Sequence, residues 1–276
     1  MIHFVQSGGW LGLPDYAGGL VVHVNVWTAA VFVAMTLLWA LSLALKDVSI
    51  VDIFWAPGFA MVAWLVAALA PAITPRTIVI LLLTSCWALR LGGHILLRKR
   101  HEPGEDHRYT VIRTEQGASF WWKSLFMIFW LQALLLWLVS WPLQAAVVSS
   151  APFNVLDGIG AALAAGGIVL EGVADWQLTR FRADAANKGK VLDSGVWGWS
   201  RHPNYFGDFM MWWGFFLLGI AAGGPWWLAA SPLVMSALLI RYSGAGLMEE
   251  TIKDRRPGYA DYVRRTSLFV PWPPKK

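Results

Sequence analysis

GVWGWSRHPNYFGDFMMWWGFFLLG, residues 195–219, passes from a glycine turn through Arg201, His202, Asn204 and Tyr205 into an apolar run that keeps one carboxylate, Asp208. An apolar run of this kind reads as a membrane helix, and polar residues at its doorway call for a partner or a chemical role. Pro203 suits the first position of a helix, and Ser200 or His202 can cap it. The helix start would then present backbone N–H groups beside the Arg201 guanidinium, an arrangement that binds anions well. Asp208 follows Asn204 by four residues and shares its helical face. The plainer alternative is an interfacial anchor, with Trp197, Trp199 and Tyr205 in an aromatic belt.

Composition sets the frame around this stretch. The chain of 276 residues is 57% hydrophobic and 14% charged, with 19 Trp and a mean hydropathy of +0.51, far more apolar than an ordinary soluble domain. Apolar runs close to the roughly 20 residues that cross a bilayer fall at 20–45, 48–70, 76–97, 119–141, 155–178, 205–222 and 225–247. An all-α polytopic membrane protein with seven transmembrane helices is therefore expected, as one integral membrane domain over 1–276. Pro57 and Gly58 are expected to kink the second helix. The N-terminal MIHFVQSGGW lacks the basic region and cleavage site of a signal peptide, so the first helix is expected to remain.

Of the 22 Lys and Arg, all except Arg76, Arg90 and Arg241 fall on alternate loops of one side. The positive-inside rule then puts the N-terminus outside and the C-terminus in the cytoplasm. The net charge of +5 reads as this topology signal together with contacts to anionic lipid headgroups, and no nucleic-acid motif accompanies it. The single cysteine, Cys86, excludes an intrachain disulfide and reads as a small core residue. HEPGEDH (101–107) reads as a solvated loop, and no metal site is expected.

An ionisable group inside a span costs on the order of 2.5–3.5 kcal/mol on insertion scales, yet several are present. Asp47 and Asp52 open the second helix, Arg90 and His94 lie at i, i+4 in the third, and Glu171 and Asp175 share a face of the fifth. Any one alone reads as an interhelical ion pair. Asp47, Asp52, Arg90, His94, Asp175, Asp208 and Glu250 together fall in the cytoplasmic halves of their helices and outline a polar, mostly cationic chamber, suited to an anionic cytosolic cofactor that meets a lipophilic substrate entering from the bilayer. Asp175 and Arg182 are two helical turns apart, with Asn187, Lys188 and Lys190 following. The tail LMEETIKDRRPGYADYVRRTSLFVPWPPKK brings Glu249, Glu250, Lys253, Arg255, Arg256, Tyr259, Tyr262 and Arg264.

At these groups the chain resembles a known set of membrane enzymes. The pattern GxWGWxRHxNYxGD, here Gly195, Trp197, Gly198, Trp199, Arg201, His202, Asn204, Tyr205, Gly207 and Asp208, is similar to the C-terminal signature of the steroid 5α-reductase and sterol C14- and C7-reductase superfamily. The Glu pair, the tyrosines and the FVPW ending resemble that superfamily's terminus. DVSIVDIFWAPG with RRPGYADYVRRTSLFVPW resembles its bacterial branch, catalogued as a domain of unknown function. The resemblance is strongest over 160–276 and thinner over 47–130.

The resemblance implies a seven-helix bundle in the bacterial inner membrane, binding NADPH from the cytosolic side through residues 160–276 and reducing a C=C bond of a lipophilic enone such as a 3-oxo-Δ4-steroid. Cofactor contacts carry over to Asp175, Arg182, Trp197, Asn204, Tyr205, Asp208, Glu249 or Glu250, Arg255, Tyr259 and Tyr262, with Lys190, Arg201 and His202 as neighbouring anion-binding groups. In the steroid reductases a Glu on helix two and a Tyr on helix three polarise the ketone. Asp52 matches that Glu, with Asp47 as the alternative, and needs burial to keep it protonated. Helix three departs from the family: SCWALRLGGHI has Trp87 and no Tyr, so that Arg90 or His94 is left as donor or the substrate differs. Isoprenylcysteine carboxyl methyltransferases, which use S-adenosylmethionine, share the RHP-x-Y turn and the terminal Glu pair. A non-catalytic lipid-binding or transport protein is the third reading. A monomer is expected.

Overall fold

The structure, a computed structural model, describes residues 16–101, 104–242 and 258–275. Among these residues the regular structure is helical, apart from one isolated bridge between Ser200 and Ser267. The helices are α1 (Tyr16–Leu45), α2 (Ile50–Leu69), α3 (Pro75–His101), α4 (His107–Gln116), α5 (Phe120–Ser124), α6 (Leu131–Val139), α7 (Trp141–Val148), α8 (Val155–Ala183), α9 (Pro203–Ala221), α10 (Ala230–Ala237) and α11 (Tyr259–Arg265). A π-helical turn, Leu125–Trp130, joins α5 to α6, and another, Leu238–Tyr242, extends α10.

Among the described residues helix occupies each of the seven apolar ranges read from the sequence, the last as far as residue 242. Five segments among the described residues are long and apolar enough to cross a membrane: Val26–Leu45, Ile50–Leu69, Pro75–His101, His107–Val139 and Val155–Ala183. α9 carries Asn204 and Asp208 in its first two turns, which lowers its apolarity, and Trp226–Arg241 is shorter than the others. Pro57 lies inside the continuous α2. Beside it Gly58 lies against Leu136, and α3 brings Gly92 against Pro57. Outward-facing apolar side chains, among them Leu82, Leu89, Val155 and Trp226, fit lipid contact. Cys86 is one of the exposed residues, not the core residue expected, because α3 turns Trp87 and Ala88 inward at that level.

The tightest packing is the crossing of α8 with α9, and glycine makes it possible. A Cβ on Gly167 would stand 2.3 Å from the Gly207 carbonyl oxygen, and one on Gly214 would stand 2.6 Å from that of Gly160. These backbones can approach only without side chains between them. Gly167→Ala is expected to cost about 1–3 kcal/mol by overpacking. Thermal unfolding should separate it from Gly158→Ala, where an added Cβ meets nothing within 4 Å.

At the opposite end from the basic loops, Arg76, the cation at the start of the third apolar run, is buried at 1% exposure. Its Nε and Nη2 donate to the two Asp157 carboxylate oxygens at 2.6 and 2.7 Å. The same guanidinium donates to the carbonyls of Ala151, Pro152 and Ala221. Asp157 is also the acidic member of the capping box with which Asn154 starts α8. One side chain thus ties α3, the loop before α8 and the end of α9.

Candidate functional site

The site begins with the turn before α9. Gly195 has a left-handed φ of +61°, which Gly adopts without strain, and lies against Gln177 of α8, whose Oε1 accepts from Val196 N at 3.1 Å. The Trp197 indole N–H donates to Ala174 O at 3.0 Å, fixing the turn on α8. His202 occupies the N-cap position of α9 without a side-chain capping bond, and Pro203 follows as expected. Ser200 does not cap the helix either: its hydroxyl accepts from His202 N and donates to Phe269 O at 2.8 Å. Burial, then the adjacent Arg201, push the His202 imidazole down to about 4, so it is neutral near pH 7. Its ring stacks on Tyr205 at 5.6 Å and 3°.

The tail closes over this turn mostly through backbone groups. Arg201 N donates to Ser267 O at 2.9 Å, and Trp272 N donates to Trp199 O at 2.9 Å. The Tyr262 hydroxyl donates to Trp197 O at 2.7 Å, and Tyr259 is buried against Tyr262. These tail tyrosines therefore lock the signature turn from behind. Glu249, Glu250 and Arg255 lie outside the described residues, and Lys190 stands exposed in the loop after α8.

Beneath the turn, α3, α8 and α9 share a buried polar cluster. Arg90 reaches Glu171 at 2.5 Å with Nη2 and Asp175 at 2.8 Å with Nη1. Asn204 Nδ2 donates to Asp175 Oδ1 at 3.2 Å, and the Trp87 indole N–H donates to Glu171 Oε2 at 3.0 Å. Trp87 thus holds a carboxylate of the cluster. Its ring also packs at 5.7 Å from those of Phe59 and Trp212, which stand 4.6 Å apart, and the three form the aromatic floor. His94 lies one turn beyond Arg90, within the electrostatic reach of Asp175, Arg98 and Arg182.

A cavity of about 370 Å³ opens at the basic ends of these helices. Asp52, Arg98, Lys99, Glu105, Asp106 and Arg182 are among its lining residues. Asp52 and Arg182, 130 positions apart by their numbers, thus meet in one space. Asp52 accepts from Arg108 Nη2 at 2.7 Å and from the Tyr109 hydroxyl at 2.7 Å. Asp47 sits one layer back. It pairs with Lys99 and accepts from the Ser49 hydroxyl at 2.6 Å. Burial pushes the Asp47 carboxyl up, but the Lys99 and Ser49 hydrogen bonds outweigh it and hold the group below its ordinary value. Of the two aspartates, Asp52 is the one that faces the cavity.

Tyr109, Arg108 and the lining cations Arg98 and Lys99 were not singled out by sequence reasoning, which saw the latter only as part of a positive loop. The acidic loop is likewise more than a solvated segment: Glu105 accepts two bonds from Arg113 at 2.7 Å and one from Val48 N at 2.9 Å. Among the described residues no group of His, Cys, Asp and Glu could hold a metal ion.

The chain is 28% identical over 270 residues to an uncharacterized protein of Schizosaccharomyces pombe, an alignment covering 87% of this chain and 77% of the relative. No solved structure matches. A family model matches residues 38–266, a span holding Asp52, the cavity and the whole signature turn, and the chain belongs to that family, described as a protein of unknown function (DUF1295).

Proposed function

We propose that this protein is an NADPH-dependent membrane reductase that saturates the C=C bond of a lipophilic enone. In this reading seven helices cross the cell membrane, with the C-terminus and the cofactor site on the cytoplasmic side, where the basic loops lie. The observation that carries the proposal is that Asp52 and Arg182 line one cavity with Arg98 and Lys99. A set of guanidinium and ammonium donors fits a phosphate-bearing group. NADPH, when bound, supplies hydride.

The chain's own residues would then do the rest. Arg98, Lys99 and Arg182 would hold the phosphate groups, and Asn204, held by Asp175, would bond the ribose and amide portion. The donor that helix three lacks is supplied by Tyr109, from the helix after the acidic loop. Arg108 keeps Asp52 charge-compensated while Asp52 orients the Tyr109 phenol. That phenol turns to the ketone oxygen as negative charge develops there.

A thermal-shift titration of the detergent-purified protein with NADPH, NADH and S-adenosylmethionine tests the reading, because a ligand that binds only the folded state stabilises it by mass action. A selective rise with NADPH, reduced at equal concentration in Arg182→Ala, is the expected result. A rise with S-adenosylmethionine alone would overturn the reductase and favour the methyltransferase.

A further inference from the structure

α6 reads LQALLLWLV, and Gln132 is the one side chain in it that can both donate and accept a hydrogen bond. A polar group in an apolar span calls for a partner. Two contacts fix the side of the helix on which it stands. Two residues earlier, at the end of the π-helical turn, the Trp130 indole N–H donates to Thr36 Oγ1 of α1 at 3.1 Å, and residues two apart on a helix point to different sides. One turn later Leu136, fully buried, lies against Gly58 of α2, and residues four apart share a face. Gln132 therefore stands on the α2 side of α6, where its Nε2 lies 3.4 Å from the Tyr109 hydroxyl.

The proton count at that hydroxyl settles the direction of the contact. A phenol has one hydrogen, and Tyr109 gives it to Asp52 Oδ1 at 2.7 Å, while Arg108 holds Asp52 Oδ2 at 2.7 Å. The Gln132 amide can meet the same oxygen only as a donor. Its bond is longer than the about 2.7–3.2 Å of ordinary N–H···O bonds, so it contributes little to the resting fold. An oxygen that carries negative charge draws such donors in to about 2.7–2.9 Å and roughly doubles their strength. A contact that is weak before reaction and strong during it is the kind that accelerates a step.

We infer that Gln132 is a positioning residue for the Tyr109 phenol, its amide N–H closing on the phenol oxygen as that oxygen gives up its proton. The inference rests on the reductase reading, in which the phenol serves the ketone and NADPH supplies hydride. As hydride reaches the β-carbon, the Tyr109 O–H bond breaks and its proton forms the O–H of an enol on the former ketone oxygen. The electron pair stays on the phenol oxygen, where the Gln132 N–H meets it. The enol then returns that proton to Tyr109 while its α-carbon takes one from solvent, the proton that the overall reduction consumes.

Infrared difference spectra of the purified protein, with no cofactor or substrate added, test the contact. The phenol C–O band that Tyr109→Phe removes is expected to shift in Gln132→Met, which keeps the length of the side chain and loses the donor. An unmoved band would overturn the inference whatever the turnover. Reduction of progesterone, a lipophilic enone, with NADPH tests the use. Gln132→Met is expected to lower kcat by about 10–10²-fold, the scale of a hydrogen bond to a charged group, with KM for progesterone and the rise in melting temperature with NADPH unchanged. In the Tyr109→Phe background the same substitution is expected to have no further effect, since the two residues act as one unit. A kcat equal to the parent's, or the same loss in both backgrounds, would also overturn the inference. If Gln132→Met does not fold, Gln132→Asn, whose amide stops one methylene short, carries the same expectations. A shifted band with no turnover in the parent would overturn the reductase reading, whereas an unmoved band with turnover intact would overturn this inference alone.

Discussion

In Tyr109→Phe, turnover of a conjugated enone is expected to fall by about 10²-fold or more, the scale of a lost general acid, while NADPH raises the melting temperature as in the unaltered protein. The phenol is buried, with its hydroxyl on Asp52 Oδ1 at 2.7 Å and Gln132 Nε2 at 3.4 Å from the oxygen. Removing that one oxygen leaves the Asp52–Arg108 ion pair at 2.7 Å in place, so the cavity keeps its charge and the fold keeps its packing. The loss would therefore appear in kcat and not in cofactor binding, the pattern of an interaction made only in the transition state. Asp52→Asn should lower turnover through the same phenol, because an amide can turn its NH₂ toward the hydroxyl and fail to orient its proton. Full turnover in Tyr109→Phe would remove the pair from the chemistry and return attention to His94.

The helices were legible because apolar length is a composition signal that survives without knowledge of neighbours. The start of α9 was equally open, since Pro203 carries its own conformational preference. Which way a helix faces was another matter. Around Cys86, α3 carries apolar residues on every side, so nothing in the local pattern told that Cys86 points outward while Trp87 points inward. Pairings across the fold were also hidden. Tyr109 reaches Asp52 from 57 residues away, and only the turn between α3 and α4 brings them together. Arg90, Glu171 and Asp175 were each marked as costly inside a span, and that cost calls for partners, but which carboxylates Arg90 would reach followed only from the packing of α3 against α8. The tail's hold on the signature turn left little trace in side chains, because most of it runs through backbone N–H and C=O groups.

Arg76→Met is expected to destabilise the protein by on the order of 3–5 kcal/mol, the cost of removing one partner from a buried ion pair. Asp157 is 0% exposed, and without the guanidinium its charge is stranded. The carbonyls of Ala151 and Pro152 lose the donors Arg76 gives them, and unsatisfied buried acceptors cost about 1–3 kcal/mol each. The Ala221 carbonyl keeps the Asn154 side-chain amide at 3.1 Å, which limits the damage at the end of α9. Replacing both partners, Arg76→Met with Asp157→Leu, removes the stranded charge. It is expected to recover only part of the loss, because the loop carbonyls stay without donors and the α8 capping box is broken. Denaturant or thermal unfolding of the three proteins measures this directly. A single variant within about 1 kcal/mol of the parent would mean that water reaches Asp157 and that the clamp does not hold the three helix ends; a double variant as stable as the parent would assign the whole effect to charge. The expected order, parent above double above single, would assign to one guanidinium the joining of α3, the loop before α8 and the end of α9, and with it the base of the α8–α9 crossing on which the polar cluster is built.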